Sequence, residues 1–477
     1  MPEAPIPFGN QQASGLEELA GSTVVAFNVV TLPDGTITRR PGLVSWSSAV
    51  INSQGISGLH ETVGGTVYAV AGRTPGRSFY RVTPTGSVSL TSAPAQYLDG
   101  LLRPTFAETE SILVIAGGGE PEKLILSTSV PSRLGGGPPV ASHTIANSSR
   151  ILLNDLVTFK NSVNFSAPSS GSDYSGFETW NAGGNSDSGL FQAEGRPDGV
   201  TALADAMNEV FVFGPTSLQT YTSDPTFVYS QVVGNEYGAG APYSIVRVDD
   251  TFLWLDQRRR FVLSDGRQTA PISDPIQRTL DAMTTVSDCF GYRVKVGPCD
   301  LVFWTFPTDT RTFVYQKGFG WAQWAQYESN WTPFPVTAKT DLKTEGGVLV
   351  GTSDGRLAKL TFGATDFGTP IRAYIETGHL NRGTDSLKTC RAVRVTLRRG
   401  VTAEANGEPR ALISWRDDLG AWGEPLELGF GSPADQEAVV TFYGLGSYRR
   451  RQWRFEFDGA ADLILASVTE EFTVNGA

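Results

Sequence analysis

Cysteine is almost missing from this chain. Cys289, Cys299 and Cys390 are the only three among 477 residues, too few and too odd in number for a disulfide-stapled secreted scaffold. Cys289 and Cys299 flank an expected hairpin and could pair, but reduced, buried thiols are the expectation. Histidine is equally scarce. His60, His143 and His379 are scattered, with no cysteine or carboxylate partner at metal-ligand spacing. The one Gly-x-Ser-x-Gly pattern, Gly351 to Gly355, falls at the Asp354-Gly355 turn between two strand runs and not at a strand-to-helix elbow, and there is no phosphate-binding Gly-Lys-Ser/Thr and no His-Glu-x-x-His. The carboxylate pairs Asp249-Asp250 and Asp417-Asp418 fall at turns, where Asp bends and caps the chain for local reasons. These absences predict a protein that is not an enzyme and uses no cofactor and no metal.

Long apolar runs are also lacking, so no stretch of about 18 residues reads as a membrane span. The first dozen residues have neither the basic start nor the apolar centre of a signal peptide. A soluble chain made in a reducing cytoplasm is expected. Positive charge is in deficit: the formal net charge is −11, whereas a protein that neutralises DNA or lipid phosphates carries a basic excess. Simple DNA binding is therefore disfavoured. An acidic wall can still border a DNA path, because like charge keeps the duplex from adhering to it.

Helix signals are few, the best being Pro275 to Met283 with Asp274 as N-cap and Pro275 in the first turn. What the chain does have is glycine (53) and proline (28), with only 18% charged residues, which points to an all-β protein rich in turns. Between Arg196 and Ile276 one unit occurs twice. A short apolar run, Val210-Phe211-Val212-Phe213 or Phe252-Leu253-Trp254-Leu255, is followed after a turn by a second strand, Ser217 to Tyr221 or Arg260 to Ser264. Runs this brief and this apolar read as strands buried on both faces.

The same unit recurs along the chain. Thr66 to Val70 pairs with Ser78 to Val82, Ile112 to Ile115 with Lys123 to Leu126, Leu301 to Trp304 with Thr312 to Tyr315, and Gly347 to Val350 with Arg356 to Leu360. Asp155 to Phe159 is taken as a further first strand. Tyr68, Leu113, Val157, Phe211, Leu253, Val302 and Leu349 mark the centres, in steps of about 42 to 54 residues. Paired strands at this period, with no helices between them, predict a β-propeller of about seven blades, or six if one pair is an excursion. A tandem of unrelated β-sandwiches is the alternative.

The expected domains are an N-terminal arm over residues 1–20, a propeller over 21–365 and a C-terminal β-sandwich over 366–477. The sandwich is read from longer alternating strands such as Arg391 to Leu397 and Gln452 to Phe457. The segment Thr23 to Arg40, turning at Pro33-Asp34-Gly35, is expected to complete the last blade, because a ring left open there would expose a sheet edge. Two inserted segments, 166–198 and 319–334, have the composition of exposed loops with tryptophan, where interfaces form. Trp321, Trp324 and Trp331 are therefore candidate interface residues. So are Arg449, Arg450, Arg451 and Arg454, which could meet acidic loops of a neighbouring subunit. Trp415 to Trp422 partly matches the Asp-box turn of sialidase propellers, but Arg416 stands where serine is wanted and Trp422 comes one place early.

Several of these stretches together resemble the packaged-DNA stabilisation proteins of short-tailed bacteriophages, the tail accessory factors also called hub or nozzle. They are Arg40-Pro41-Gly42-Leu43, Arg196 to Val200 with the following Val212 to Tyr221, Gly238 to Pro242, Leu253-Trp254, Pro271-Ile272-Ser273, and Trp415 to Trp422 followed by Gly446 to Arg454. The resemblance implies a structural protein of the virion tail, assembled in the bacterial host cytoplasm. It would form a homohexameric ring below the portal and its head-tail adaptor. It would continue the channel for double-stranded DNA without reading its sequence, help retain packaged DNA, and anchor fibres, spikes or a needle. A ring of identical subunits requires head-to-tail contact between two different patches of each protomer. A propeller-type carbohydrate- or receptor-binding module is the alternative function. A glycosidase has no acid and nucleophile pair to support it.

Overall fold

The computed structural model describes residues 3–6, 23–48, 50–72, 77–90, 102–180, 187–193, 195–196, 198–206, 208–224, 228–327, 330–399, 410–418, 420–429, 437–459 and 462–475. Most of the expected N-terminal arm, part of the 166–198 segment and Leu419 of the partial Asp-box match lie outside the described residues.

Buried strands of β-branched and aromatic residues pair with their sequence neighbours into four-stranded antiparallel sheets, and these sheets are the blades of a β-propeller. Six of them are self-contained, with innermost strands Ile56–Glu61, Thr105–Glu108, Thr144–Asn147, Ala202–Ala206, Val246–Val248 and Val336–Asp341. A further four-stranded set, Phe290–Val296, Cys299–Phe306, Arg311–Gln316 and Gly320–Tyr327, lies in sequence between the fifth and the last of these. It is hydrogen-bonded onward into a ten-stranded sheet, so it is called here the fused blade.

The second strand of a blade shows why the ring closes. Val67–Ala71, Ile112–Ala116 and Val348–Thr352 are buried at every position, because alternate side chains pack against different neighbours. In Thr251–Leu255, Phe252 and Trp254 join Phe211 and Phe213 of the fourth blade, while Leu253 and Leu255 join Trp304 and Trp321 of the fused blade. Leu59, Val67 and Ala69 of the first blade pack with Leu349 and Leu357 of the last, which completes the circle.

The last blade is closed by an N-terminal strand, but a different one from that expected. Gly42–Ser45 pairs with Leu357–Thr361, whereas Thr23–Phe27, Val29–Thr31 and Ile37–Arg39 leave the ring for two further sheets. In one of these, the outermost strand of the fused blade pairs in parallel with Thr23–Phe27, and the ladder continues through Ala373–Thr377, Arg451–Asp458, Arg410–Asp417 and Leu426–Gly429. The other sheet runs Val29–Thr31, Ile37–Arg39, Leu463–Val474, Lys388–Arg399, Glu437–Tyr443. Glu3–Pro5, within the described part of the arm, pairs with the Leu463–Val474 strand. Ile375, Ile413, Trp453 and Phe455 of the first sheet share a buried cluster with Val393, Val395 and Leu465 of the second. The chain after Asp366 therefore does not stand apart. It is completed by N-terminal strands and hydrogen-bonded into the ring.

Three local expectations are corrected. Asp155 to Phe159 is a turn, because the Asp155 carboxylate accepts the N–H groups of Val157, Thr158 and Phe159. The buried strand lies just before it at Arg150–Asn154. The 319–334 stretch is no loop, since Gly320–Tyr327 and Trp331–Pro333 are paired strands. Nor is the 166–198 segment all loop. Phe177 and Trp180 are buried between the second and third blades, and Gly189–Gln192 is the third blade's outermost strand. The short helix Gln277–Asp281 forms where expected, after a 3-10 turn, but without a side-chain cap.

Candidate functional site

All seven innermost strands line one cavity of about 400 Å³ at the centre of the ring. Arg103, just before Thr105–Glu108, reaches across it. Its guanidinium carbon lies 3.6 Å from the centroid of the Phe290 ring on the fused blade, and the same group donates to the Thr337 carbonyl of the last blade. Burial lowers the Arg103 pKa to about 10, offset in part by the Tyr292 and Tyr243 phenols. Burial in turn raises the pKa of both phenols. His143, on the third blade, stacks on Tyr243 with ring centroids 4.8 Å apart, and its Nδ1 lies 3.0 Å from the Ser142 hydroxyl. Asp205 is the one carboxylate in the lining among the described residues, and burial raises its pKa.

Burial pushes the His143 pKa down to about 4, with the Pro242 backbone opposing the shift. From about pH 6.5 down to about 4, the unfolded chain takes up a proton that the folded chain does not. The contribution is fully present above pH 6.5 and is lost as pH falls through that window. His143→Gln is expected to remove roughly 1–3 kcal/mol of the stability difference between pH 7 and 4.5, measured by urea midpoints. An unchanged difference in the variant would contradict this assignment.

No group of three histidines, cysteines or acids that could hold a metal ion occurs among the described residues. His60 is held by Glu108 at 2.8 Å and stacks on Phe106. All three cysteines are free and buried, as expected. The partial Asp-box match is occupied structurally: Asp417 is taken by Arg451, and Asp418 accepts the Arg450 N–H.

The candidate interface residues separate into two groups. Trp321 and Trp324 are each 1% exposed, a correction to their reading as surface anchors. Trp321 packs between the fifth and fused blades and donates to the Ile272 carbonyl, and Trp324 lies under Arg40. Arg451 is fully buried, bidentate to Asp417 at 2.6 and 2.8 Å and stacked on Tyr448. It too is an internal residue. Arg454 is partly covered, pairing with Glu376 and lying over Trp422.

Arg449 and Arg450 are exposed and reach Asp385 of their own chain. Trp331 is 43% exposed, set edge-on against Phe27.

Sequence reasoning missed Glu437–Tyr443. Among the described residues this strand pairs only with Lys388–Arg399, so its other edge is open. Ala438, Val440 and Phe442 pack inward, leaving Val439 60% and Tyr443 77% exposed. Ser447–Tyr448 continues the same side of Lys388–Arg399, which brings Arg449 and Arg450 next in line. The alternation was readable, but both faces of this strand carry apolar residues, so nothing in the pattern said which face was outside.

No protein-family model and no curated protein matches the chain. Among solved structures it is similar to a streptogramin B lyase, with a TM-score of 0.45 at 9% identity over 67% of this chain and 97% of that one. It is similar to BamB from Moraxella catarrhalis, with a TM-score of 0.40 at 8% identity over 76% and 98% of the two chains. The N-terminal domain of Nup159 gives a TM-score of 0.40 at 9% identity over 71% and 98%. Likeness at this level carries no argument about activity, and the propeller is read from the strand order itself. Among the described residues, no helix is long and apolar enough to cross a membrane.

Proposed function

We propose that this chain is a non-catalytic subunit of a bacteriophage virion, the tail hub or nozzle that forms a six-membered ring below the portal and adaptor. The observation that carries the reading is the open Glu437–Tyr443 edge, with Val439 and Tyr443 exposed on it and Arg449 and Arg450 following. Natural sheets blunt such edges with lysine, proline or a cover, and none is present here among the described residues. A bare edge with apolar residues suits addition of another chain. The sheet bearing it shares a core with the ten-stranded sheet that continues the fused blade, which would hold the edge at a set angle to the ring. On this reading DNA in transit passes between subunits around the six-fold axis, since the central cavity is bridged by Arg103 and has no room for a duplex. Fibre, spike or needle proteins would attach to the same ring in the virion tail.

Negative-stain images of the purified protein, alone or mixed with its adaptor, are expected to show six-fold rings. Monomers alone in the mixture would overturn the reading. The second reading, a carbohydrate- or receptor-binding module, draws on the aromatic-lined central cavity. A glycan array distinguishes the two, because a lectin binds sugar without any phage partner.

A further inference from the structure

Arg103 is a half-buried cation with no acid paired to it among the described residues. Among the described residues its partners are the Thr337 carbonyl and the Phe290 ring, and the groups that favour its charge are phenols and a thiol, all neutral near pH 7. Drawing a charge partly out of water without a counter-charge is costly, and here it borders a cavity large enough to hold a small molecule. The Tyr292 hydroxyl, which interacts electrostatically with this guanidinium, is buried and has no hydrogen-bond partner among the described residues. Phe106, Phe290 and Tyr243 add aromatic walls to the same cavity.

We infer that the centre of the propeller binds a small oxyanion, a carboxylate or a phosphate, on Arg103 and Tyr292. The planar guanidinium fork matches both anions, and it is more weakly hydrated than an ammonium, so it gives up water more readily. Tyr292 supplies a phenolic donor, and the rings favour an anion that carries a flat apolar body. Asp205, on the fourth blade, sets a limit: its carboxylate in the same lining disfavours a ligand with negative charge at both ends. The inference does not rest on the hub reading, since ring assembly engages the outer sheet edge and not this cavity.

The test is calorimetric titration of the full chain with benzoate, inorganic phosphate and neutral benzamide at constant ionic strength. Benzoate is expected to bind at sub-millimolar concentration and to raise the melting temperature, with benzamide at least tenfold weaker. Phosphate binding more tightly than benzoate would identify the phosphate source of the same chemistry. Arg103→Met keeps the aliphatic stem and removes the charge, and should weaken the anion at least tenfold without lowering the melting temperature of the free protein. Tyr292→Phe, which keeps the ring, should weaken it severalfold even if Arg103→Met fails to fold. Failure of both anions to bind at millimolar concentration, or equal binding by wild type and a folded Arg103→Met, would overturn the inference.

Discussion

Replacing Arg40 by Ala is expected to cost the folded protein about 3–5 kcal/mol, the loss typical of removing one partner from a buried ion pair. Arg40 is completely enclosed, and Asp366 nearly so. The two meet through both guanidinium terminal nitrogens, Nη1 lying 3.0 Å from Oδ1. The Arg40 Nε also donates to Asn28 at 3.1 Å, its guanidinium carbon lies 4.9 Å from the Phe334 ring centroid, and Asp366 accepts the Leu43 N–H at 3.1 Å. These contacts join the strand that closes the last blade, the fused blade and the sheets beyond it. Gly42 belongs to the same joint, since a Cβ there would collide with the Thr365 carbonyl.

Arg40→Ala leaves Asp366 charged and dry, and Asp366→Ala does the same to Arg40. The double variant Arg40→Met/Asp366→Leu removes both desolvation penalties and should recover much of the loss. Urea unfolding of the four proteins tests this. A single variant within about 1 kcal/mol of wild type, or a double variant no better than either single, would show that the pair is not the joint.

Lysine at both Val439 and Tyr443 is expected to abolish ring formation while leaving the subunit's melting temperature within a degree or two of wild type. Both side chains are mostly exposed, and substitutions at such positions usually change stability by less than about 0.5 kcal/mol. At an interface, burying two unpaired ammonium groups where a valine and a tyrosine had packed is costly. Together with the loss of a tyrosine anchor worth about 2 kcal/mol, this should weaken each contact at least a hundredfold. Sedimentation velocity alongside electron microscopy reads both quantities. Rings formed by the double lysine variant would move the interface elsewhere. Loss of the fold would mean that this strand serves the subunit and not its neighbours.

Much of the ring was legible because its cause is local. A strand squeezed between two blades must be apolar on both faces, so Val210 to Phe213, Phe252 to Leu255, Ile112 to Ile115 and Leu301 to Trp304 announced themselves, and the turns between them carried their own residues. The reading failed where local chemistry and apolar content disagreed. Leu156, Val157 and Phe159 look like strand residues, but Asp155 accepts three consecutive N–H groups and bends the chain there. Tryptophans 321 and 324 resembled an interface because large aromatics serve surfaces and cores alike. Their alternation on Gly320–Tyr327 places them inside only once neighbouring blades are present.

The central cavity left no trace in the sequence. Arg103 stands beside Pro104 with nothing nearby to mark it. Its importance comes from Phe290 and Thr337, nearly two hundred residues or more away along the chain, which the ring brings to it.

By itself, then, the order of residues determined the all-β class and the repeated antiparallel unit, because each depends on contacts within a few tens of residues. Tertiary structure alone decided which N-terminal strand shuts the ring, that Arg451 is a core residue, and that Arg103 crosses the axis with no acid paired to it among the described residues. Those outcomes depend on pairings between distant segments, such as Gly42–Ser45 with Leu357–Thr361. Side-chain burial there is set by whichever strand arrives from the far end of the chain, and no local pattern carries that information.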